Sequence, residues 1–312
     1  VTFDHNFVPD FVLVRADGSP LYTLAVAVDD ILMKVTHVLR GEDLLSSTPR
    51  QIRVYQAMGV KPEDYPVFAH LPFVMGQDNA KLSKRNGEVS IAWYREMGFL
   101  PEAICNYLAL LGWSPGDDLE NITMKQLTEM FTVEKVHSSP ARFDMKKLEA
   151  INGDKIRALT IDEFLNWSLP FLTKAGVITG SADEIALVKQ ALPLIQERII
   201  MLSEVPAMLK FLFVKNFAVE ADSVAKITDD ASKQVLQRSL KELEPLATWN
   251  HESIEAALRS SLIEEMGLKP RIAFGAVRIA TTGSTISPPL FESMELLGKE
   301  ASLARIRAGL EL

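Results

Sequence analysis

Lys81-Leu-Ser-Lys-Arg85 is the segment of this 312-residue chain best suited to act on a phosphate. It sits in a polar, glycine-flanked loop, Gly76 to Gly87, that follows the strand-like run Val67 to Val74. A basic pentapeptide in a loop is ordinarily solvated charge. Cations on such a loop can also follow the charge that builds on a departing phosphate. Lys81 and Lys84 are the candidates, with Ser83 as a hydroxyl or backbone donor. Arg40 ends a second strand-like run, Val35 to Leu39, at the position where ligands bind in open α/β sheets. It could pair with a ligand carboxylate, or it could form an ordinary ion pair. His37 and His70 have no third ligand at a suitable spacing and read as structural. Cys105 is the only cysteine, so there is no disulfide framework and no cysteine-based zinc site. It lies in the apolar run Ala103 to Leu111 and reads as a small buried hydrophobe. Arg142, Lys146, Lys147, Lys155 and Arg157 cluster among Asp144, Glu149 and Asp154, a mixture that is normally a solvated face.

The elements that must position these residues read as α/β first and all-α after. Phe11–Arg15 and Leu21–Val28 are expected to be strands joined by the Ala16-Asp-Gly-Ser-Pro20 turn into a hairpin. Asp29 and Asp30 are expected to cap a short helix. Thr48 is expected to cap the next helix, with Pro49 in its first position, Gln51 closing a capping box and Gly59 as its stop. From residue 88 the pattern turns helical. The spacing predicts helices at Pro101–Leu111, Thr123–Phe131, Asp144–Asn152, Ile161–Ala175, Ser181–Leu192 and Pro193–Phe213. Asp229–Leu246, Ser253–Met266, Pro270–Ala280 and Pro288–Leu297 follow, the last started by Ser287.

The composition, 47% hydrophobic and 24% charged, is that of an ordinary soluble globular protein. No run of 18 apolar residues exists to span a membrane, and Val1 to His5 lacks the pattern of a signal peptide. A reducing cytoplasm is the expected location. The net charge of −8 argues weakly against a nucleic-acid partner, so any phosphate contact must come from locally placed cations.

Order and spacing then add a resemblance. Leu21-Tyr-Thr-Leu-Ala-Val-Ala-Val-Asp-Asp30, Val35-Thr-His-Val-Leu-Arg-Gly-Glu-Asp43 and Ser47-Thr-Pro-Arg-Gln51 precede the pentapeptide. Phe68-Ala-His-Leu-Pro72, Asn106-Tyr-Leu-Ala-Leu-Leu-Gly-Trp113 and Pro288-Pro-Leu-Phe-Glu292 flank or follow it. Together these resemble bacterial-type glutamyl-tRNA synthetases, class I aminoacyl-tRNA synthetases whose KMSKS signature takes the KLSKR form. The resemblance covers essentially the whole chain. It implies residues 1–85 as the second half of a Rossmann-like catalytic domain, 86–160 as a stem-contact domain and 161–312 as an all-α anticodon-binding domain split near 213.

What the resemblance implies for function is attachment of glutamate to its tRNA, using ATP with magnesium on the phosphates and no protein-bound metal. Lys81, Ser83 and Lys84 would serve the phosphates. Arg40 would contact the substrate carboxylate, and Tyr22 would line the amino-acid pocket unless it only fills a sheet face. Glu42 and Asp43 would lie beside ATP and the tRNA acceptor end, or simply hold their loop. Arg142, Lys146, Lys147, Lys155 and Arg157 would meet tRNA phosphates, although Ala150 stands where many relatives carry tryptophan. Arg198 could read an anticodon base edge, but an ion pair with Glu197 or Glu204 is the preferred reading. The family's His-x-Gly-His motif matches none of the five histidines and is expected to precede Val1. The chain alone is therefore expected to bind tRNA without catalysis, as a monomer. Whether the glutamine tRNA is also a partner stays open. A glutaminyl enzyme would build its anticodon region from β-barrels, and the truncated relative that glutamylates a modified base lacks the helices present after about residue 160.

Overall fold

The computed structural model describes residues 1–4, 8–76, 90–116, 119–214 and 216–312. The chain divides into two compact units, residues 1–86 with 106–145 and residues 87–105 with 146–312.

The first unit opens with a turn, Arg15 to Ser19, in which Gly18 takes a positive φ of 84°. The expected hairpin shrinks to one antiparallel bridge, Val14 with Pro20. Its second strand is instead helix α1, Tyr22–Leu32. Leu24, Ala27 and Ile31, at helical spacing, pack on Val54 and Tyr55, and this contact decides the conformation of a run that reads equally as a strand. Asp29 and Asp30 consequently lie in the last turn of α1 rather than capping it, and Asp30 accepts the Tyr55 hydroxyl at 2.9 Å. Strand β1, His37–Gly41, runs into a 3-10 turn, Glu42–Ser47, and then directly into α2, Thr48–Ala57. Because that turn is already helical, Ser47 makes no side-chain cap and the capping box expected from Thr48 and Gln51 does not form. Gln51 is fully buried instead, its amide atoms without partners among the described residues. Strand β2, Val67–Leu71, pairs in parallel with β1, with Arg40 opposite His70.

Helix α3, Ile91–Met97, is capped by Ser90 and ends at Gly98, whose φ is 84°. It is followed by α4, Pro101–Leu110. In the first unit, α5, Met124–Met130, begins at a capping box formed by Thr123 and Gln126. Helix α6 spans Met145–Ala158. In the second unit, α7, Ile161–Lys174, and α8, Ala182–Ala191, both start at capping boxes, Thr160 with Glu163 and Ser181 with Glu184. Each box pairs backbone N–H groups that a helix start leaves open.

The long helix expected over Pro193–Phe213 breaks into α9, Pro193–Gln196, and α10, Val205–Leu209, with 3-10 turns after each. Tertiary hydrogen bonds take the backbone groups that a continuous helix would pair. Glu204 accepts from the Ile200 and Met201 N–H groups, Asn152 donates to the Ile200 carbonyl, and the Leu202 N–H donates to Gly98.

The rest is α11, Ala221–Val224, α12, Asp230–Leu243, and α13, His251–Leu258, which continues as a π-helical segment, Arg259–Glu265. Then come α14, Pro270–Thr282, α15, Leu290–Leu297, and α16, Lys299–Leu310, a helix that the sequence pattern does not announce. Helix α15 begins three residues after Ser287, whose hydroxyl is engaged by Arg278. No helix among the described residues is long and apolar enough to cross a membrane.

The two units differ in how much apolar surface they seal. The cluster joining α1 and α2 has three buried members, Ala27, Val54 and Tyr55. The cluster under α12 to α16 has sixteen. Leu39 and Val67 of the sheet stay 41% and 60% exposed. Local opening costs less where fewer apolar contacts must break. Amides of β1, β2 and α2 should therefore exchange faster than those of α12 and α14; equal protection by hydrogen exchange would contradict this.

Asn152 is fully buried and joins three segments: its Oδ1 accepts from Leu100 N at 2.8 Å and its Nδ2 donates to Ile200 O at 2.5 Å and Gly98 O at 3.5 Å. Asn152→Ala should destabilise the second unit by about 2–4 kcal/mol, since each buried group left unpaired costs about 1–3 kcal/mol. Urea unfolding measures it, and a loss under about 0.5 kcal/mol, the range of indifferent surface changes, would refute the role.

His251 and Glu295 tie the start of α13 to α15, Nδ1 to Oε2 at 2.7 Å. The Glu295 carboxylate raises the His251 pKa above 6.5, and hydrogen bonds from the His251 backbone and ring lower that of Glu295 below 4.5. The histidine's contribution is complete below pH 6.5 and lost as pH rises through its raised pKa. The glutamate's is present above pH 4.5 and lost as pH falls through its lowered one. The pair thus stabilises most between these values. His251→Gln should flatten the decline in thermal midpoint between about pH 6 and about pH 8.

Candidate functional site

In the first unit the parallel sheet sets Arg40 and His70 side by side at the carboxyl ends of β1 and β2. Arg40 Nε donates to His70 Nε2 at 3.1 Å, and Nη2 donates to Thr48 Oγ1 at 2.8 Å and to the Leu44 carbonyl at 3.2 Å. The guanidinium lies 5.4 Å from the centre of the Phe68 ring. Burial, and then the Arg40 charge, lower the His70 pKa, which keeps the imidazole neutral with Nε2 free to accept. Nη1 takes no part in these bonds. The guanidinium is therefore fixed in orientation with one nitrogen left for a carboxylate, and no protein carboxylate pairs with it among the described residues.

Glu42 accepts the Phe73 N–H at 3.1 Å and so braces the chain beyond β2. Asp43 is exposed. Gly41 makes room for it, since a Cβ there would meet Asp43 Oδ1 at 2.5 Å. Tyr22 starts α1, is 48% exposed and makes no ring contact or hydrogen bond among the described residues. Lys81, Ser83 and Lys84 lie outside the described residues. The partners of Arg40 have no signal in the sequence: Thr48 reads there as a cap, and His70 meets Arg40 only through the register of the sheet.

The basic residues along residues 142–157 separate. Arg142 is exposed beside a bridge to Met75 in the first unit. In the second, Lys146 is exposed and Lys147 half-buried. Arg157 pairs with Asp154 at 2.5 Å. Lys155 departs from the expectation of a phosphate contact. It is 7% exposed, with burial lowering the pKa of its amine, because its position on α6 faces inward with Ile151 and Ile156. Cys105 departs the other way and is exposed.

Arg198 is exposed and joins no ion pair among the described residues, contrary to the expected pairing, since Glu204 is committed to the backbone. It lies close enough to Arg278 for its charge to lower that guanidinium's pKa, second to burial. Arg278 is held by Ser287 Oγ at 2.7 Å and the Pro288 carbonyl at 2.9 Å. It lines a cavity of about 630 Å³ with Lys226, Arg271, Ser232, Thr285 and Phe274, among other residues, none of them an aspartate or glutamate. Three cations line it in a chain of net charge −8, although the Ser232 hydroxyl donates to Asp229 at 2.8 Å and Glu292 partly offsets the charge of Arg278. The sequence offered no sign of it, because its residues come from α12, α14 and the loops beside them.

No group of three or more His, Cys, Asp or Glu residues that could hold a metal ion occurs among the described residues.

Comparison with known proteins places both regions. Residues 1–150 match the family model described as tRNA synthetases class I (E and Q), catalytic domain, and residues 161–310 match that of an anticodon binding domain. A glutamate–tRNA ligase of Saccharopolyspora erythraea is 50% identical over 99% of this chain and 63% of its own length. One of Paenarthrobacter aurescens is 51% identical over 99% of this chain and 62% of its own. The crystal structure of a glutamate tRNA ligase from Elizabethkingia meningosepticum, in complex with its amino acid, superposes with a TM-score of 0.80 at 29% identity, covering 98% of this chain and 63% of that one. The chain thus spans a little under two thirds of these relatives' length. With both family models matched in order and half of all residues shared along nearly its whole length, the chain belongs to the glutamyl branch of the class I aminoacyl-tRNA synthetases.

Proposed function

We propose that this chain carries the tRNA-reading part of a glutamate–tRNA ligase, together with part of its glutamate site. The observation that carries the reading is the cavity lined by Lys226, Arg271 and Arg278, within the stretch that matches an anticodon binding domain. Arg198 stands near enough to Arg278 to act on its charge, as does Glu292 with the opposite sign, and a nucleotide phosphate would add to the attraction. Arg142, Lys146, Lys147 and Arg157 contribute phosphate contacts from the surface, and buried Lys155 contributes none.

For the amino acid, Arg40 offers Nη1 to the substrate carboxylate, with His70 and Thr48 holding it in place and Tyr22 lining the pocket. A fixed guanidinium favours a carboxylate over an amide and so glutamate over glutamine. Glu42 and Asp43 stand beside the ATP and acceptor-end position. Lys81, Lys84 and Ser83 would neutralise the phosphates, with magnesium arriving on ATP. We assign this stretch of chain the binding of tRNA and of glutamate, as a cytoplasmic monomer.

The test is binding of the 312-residue chain to the glutamate tRNA, to the same tRNA with a swapped anticodon and to the glutamine tRNA, at fixed salt. The swap should weaken binding, and Arg271→Glu and Lys226→Glu should each weaken it about tenfold. For every phosphate that a substitution leaves unneutralised, the slope of log K against log salt should flatten by about 0.7–0.9. Binding indifferent both to the anticodon and to these substitutions would reject the assignment.

A further inference from the structure

Helix α7 is apolar on two faces. Phe164, Leu165 and Leu172 are buried, while Trp167 and Phe171, one turn apart, with Lys174 a further turn along, line an open groove of about 710 Å³. Phe99, Pro101 and Ile104 form the facing wall. A surface helix normally keeps one apolar stripe, and the second here is not covered by the described residues: Trp167 is 42% and Ile91 65% exposed. The charged groups of the groove are Arg95, Lys174 and Glu96, a net positive set in a chain of net charge −8. Neither Arg95 nor Lys174 joins an ion pair among the described residues, whereas Lys189, Lys210, Arg238, Arg259 and Arg307 all do. The volume falls in the range of small-molecule sites, about 300–1,000 Å³.

We propose that this groove binds an amphipathic organic anion, its apolar body against Trp167 and Phe171 and its carboxylate toward Arg95 and Lys174. The site is lined by residues other than those of the basic cavity at α14. Its lining explains the ligand's two halves: the rings withdraw the body from water, and the unpaired cations select the sign of the head group.

Cys105 lines the groove, is exposed and is the chain's only cysteine, so its alkylation reports on this place alone. The rate of maleimide reaction is measured with decanoate and, separately, with decyltrimethylammonium, which pairs the same tail length with a positive head, both below their micelle concentrations. Decanoate should slow the reaction saturably, with an affinity about tenfold above that of the cation, and Trp167→Ala should weaken it. Arg95→Glu with Lys174→Glu should abolish or invert the preference while the helical circular dichroism is unchanged. The wild-type comparison stands even where a variant fails to fold. Equal protection by both tails, or by neither, overturns the proposal. Protection by an acidic amphipathic peptide where decanoate gives none overturns it too, and assigns the groove to a protein partner.

Discussion

One buried amide organises the second unit. Asn152 reaches the backbone at Gly98, Leu100 and Ile200, and the Leu202 N–H completes the join by donating to Gly98. Gly98 permits this because its backbone has a left-handed φ of 84° and because a Cβ there would lie 2.6 Å from Leu202. Paired in this way, Ile200 to Leu202 cannot continue the helix begun at Pro193. The chain turns after Gln196, and Arg198 leaves the helical path to stand exposed near Arg278. The arrangement of the cationic surface therefore descends from a hydrogen-bonding constraint in the interior.

Charge in this protein is distributed so that local and net signs oppose each other. The chain is acidic overall, yet the cavity at α14 gathers Lys226, Arg271 and Arg278 without a carboxylate. A local excess of cations favours an anion there whatever the sign of the whole chain. By contrast, Arg305 is half-buried over the Phe217 ring at 3.9 Å and donates to the Thr281 and Phe211 carbonyls, with burial lowering its pKa to about 10. Two arginines on neighbouring helices thus differ in what their surroundings leave available. Arg305 fastens the 3-10 turn after α10 to α14 and α16, and Arg278 faces a cavity.

At the sheet, the same logic works through orientation. Arg40 spends two of its three nitrogens on His70, Thr48 and Leu44, so the third is presented with little rotational freedom. Preorganised donors lose less on binding than flexible ones, and the role proposed for Arg40 draws on that property. The surrounding unit has a thin core, and Leu39 and Val67 remain substantially exposed.

Much of this was legible from residue order alone. The family, the change from α/β to all-α and the helix starts at Thr123, Ile161 and Ser181 follow from local signals, because a cap or a motif is satisfied within a few residues. The strand assigned to Leu21–Val28 failed because an apolar run carries no preference until it meets Val54 and Tyr55. The continuous helix over Pro193–Phe213 failed because Asn152, distant along the chain, competes for its backbone. Lys155 and Cys105 exchanged their expected environments because a helix turns by packing as much as by pattern. The partners of Arg40, the basic cavity at α14 and the second apolar stripe of α7 are assembled from residues distant in sequence, so only the tertiary structure could decide them: hydrogen bonds and burial act through space, and sequence spacing records only those that act along the chain.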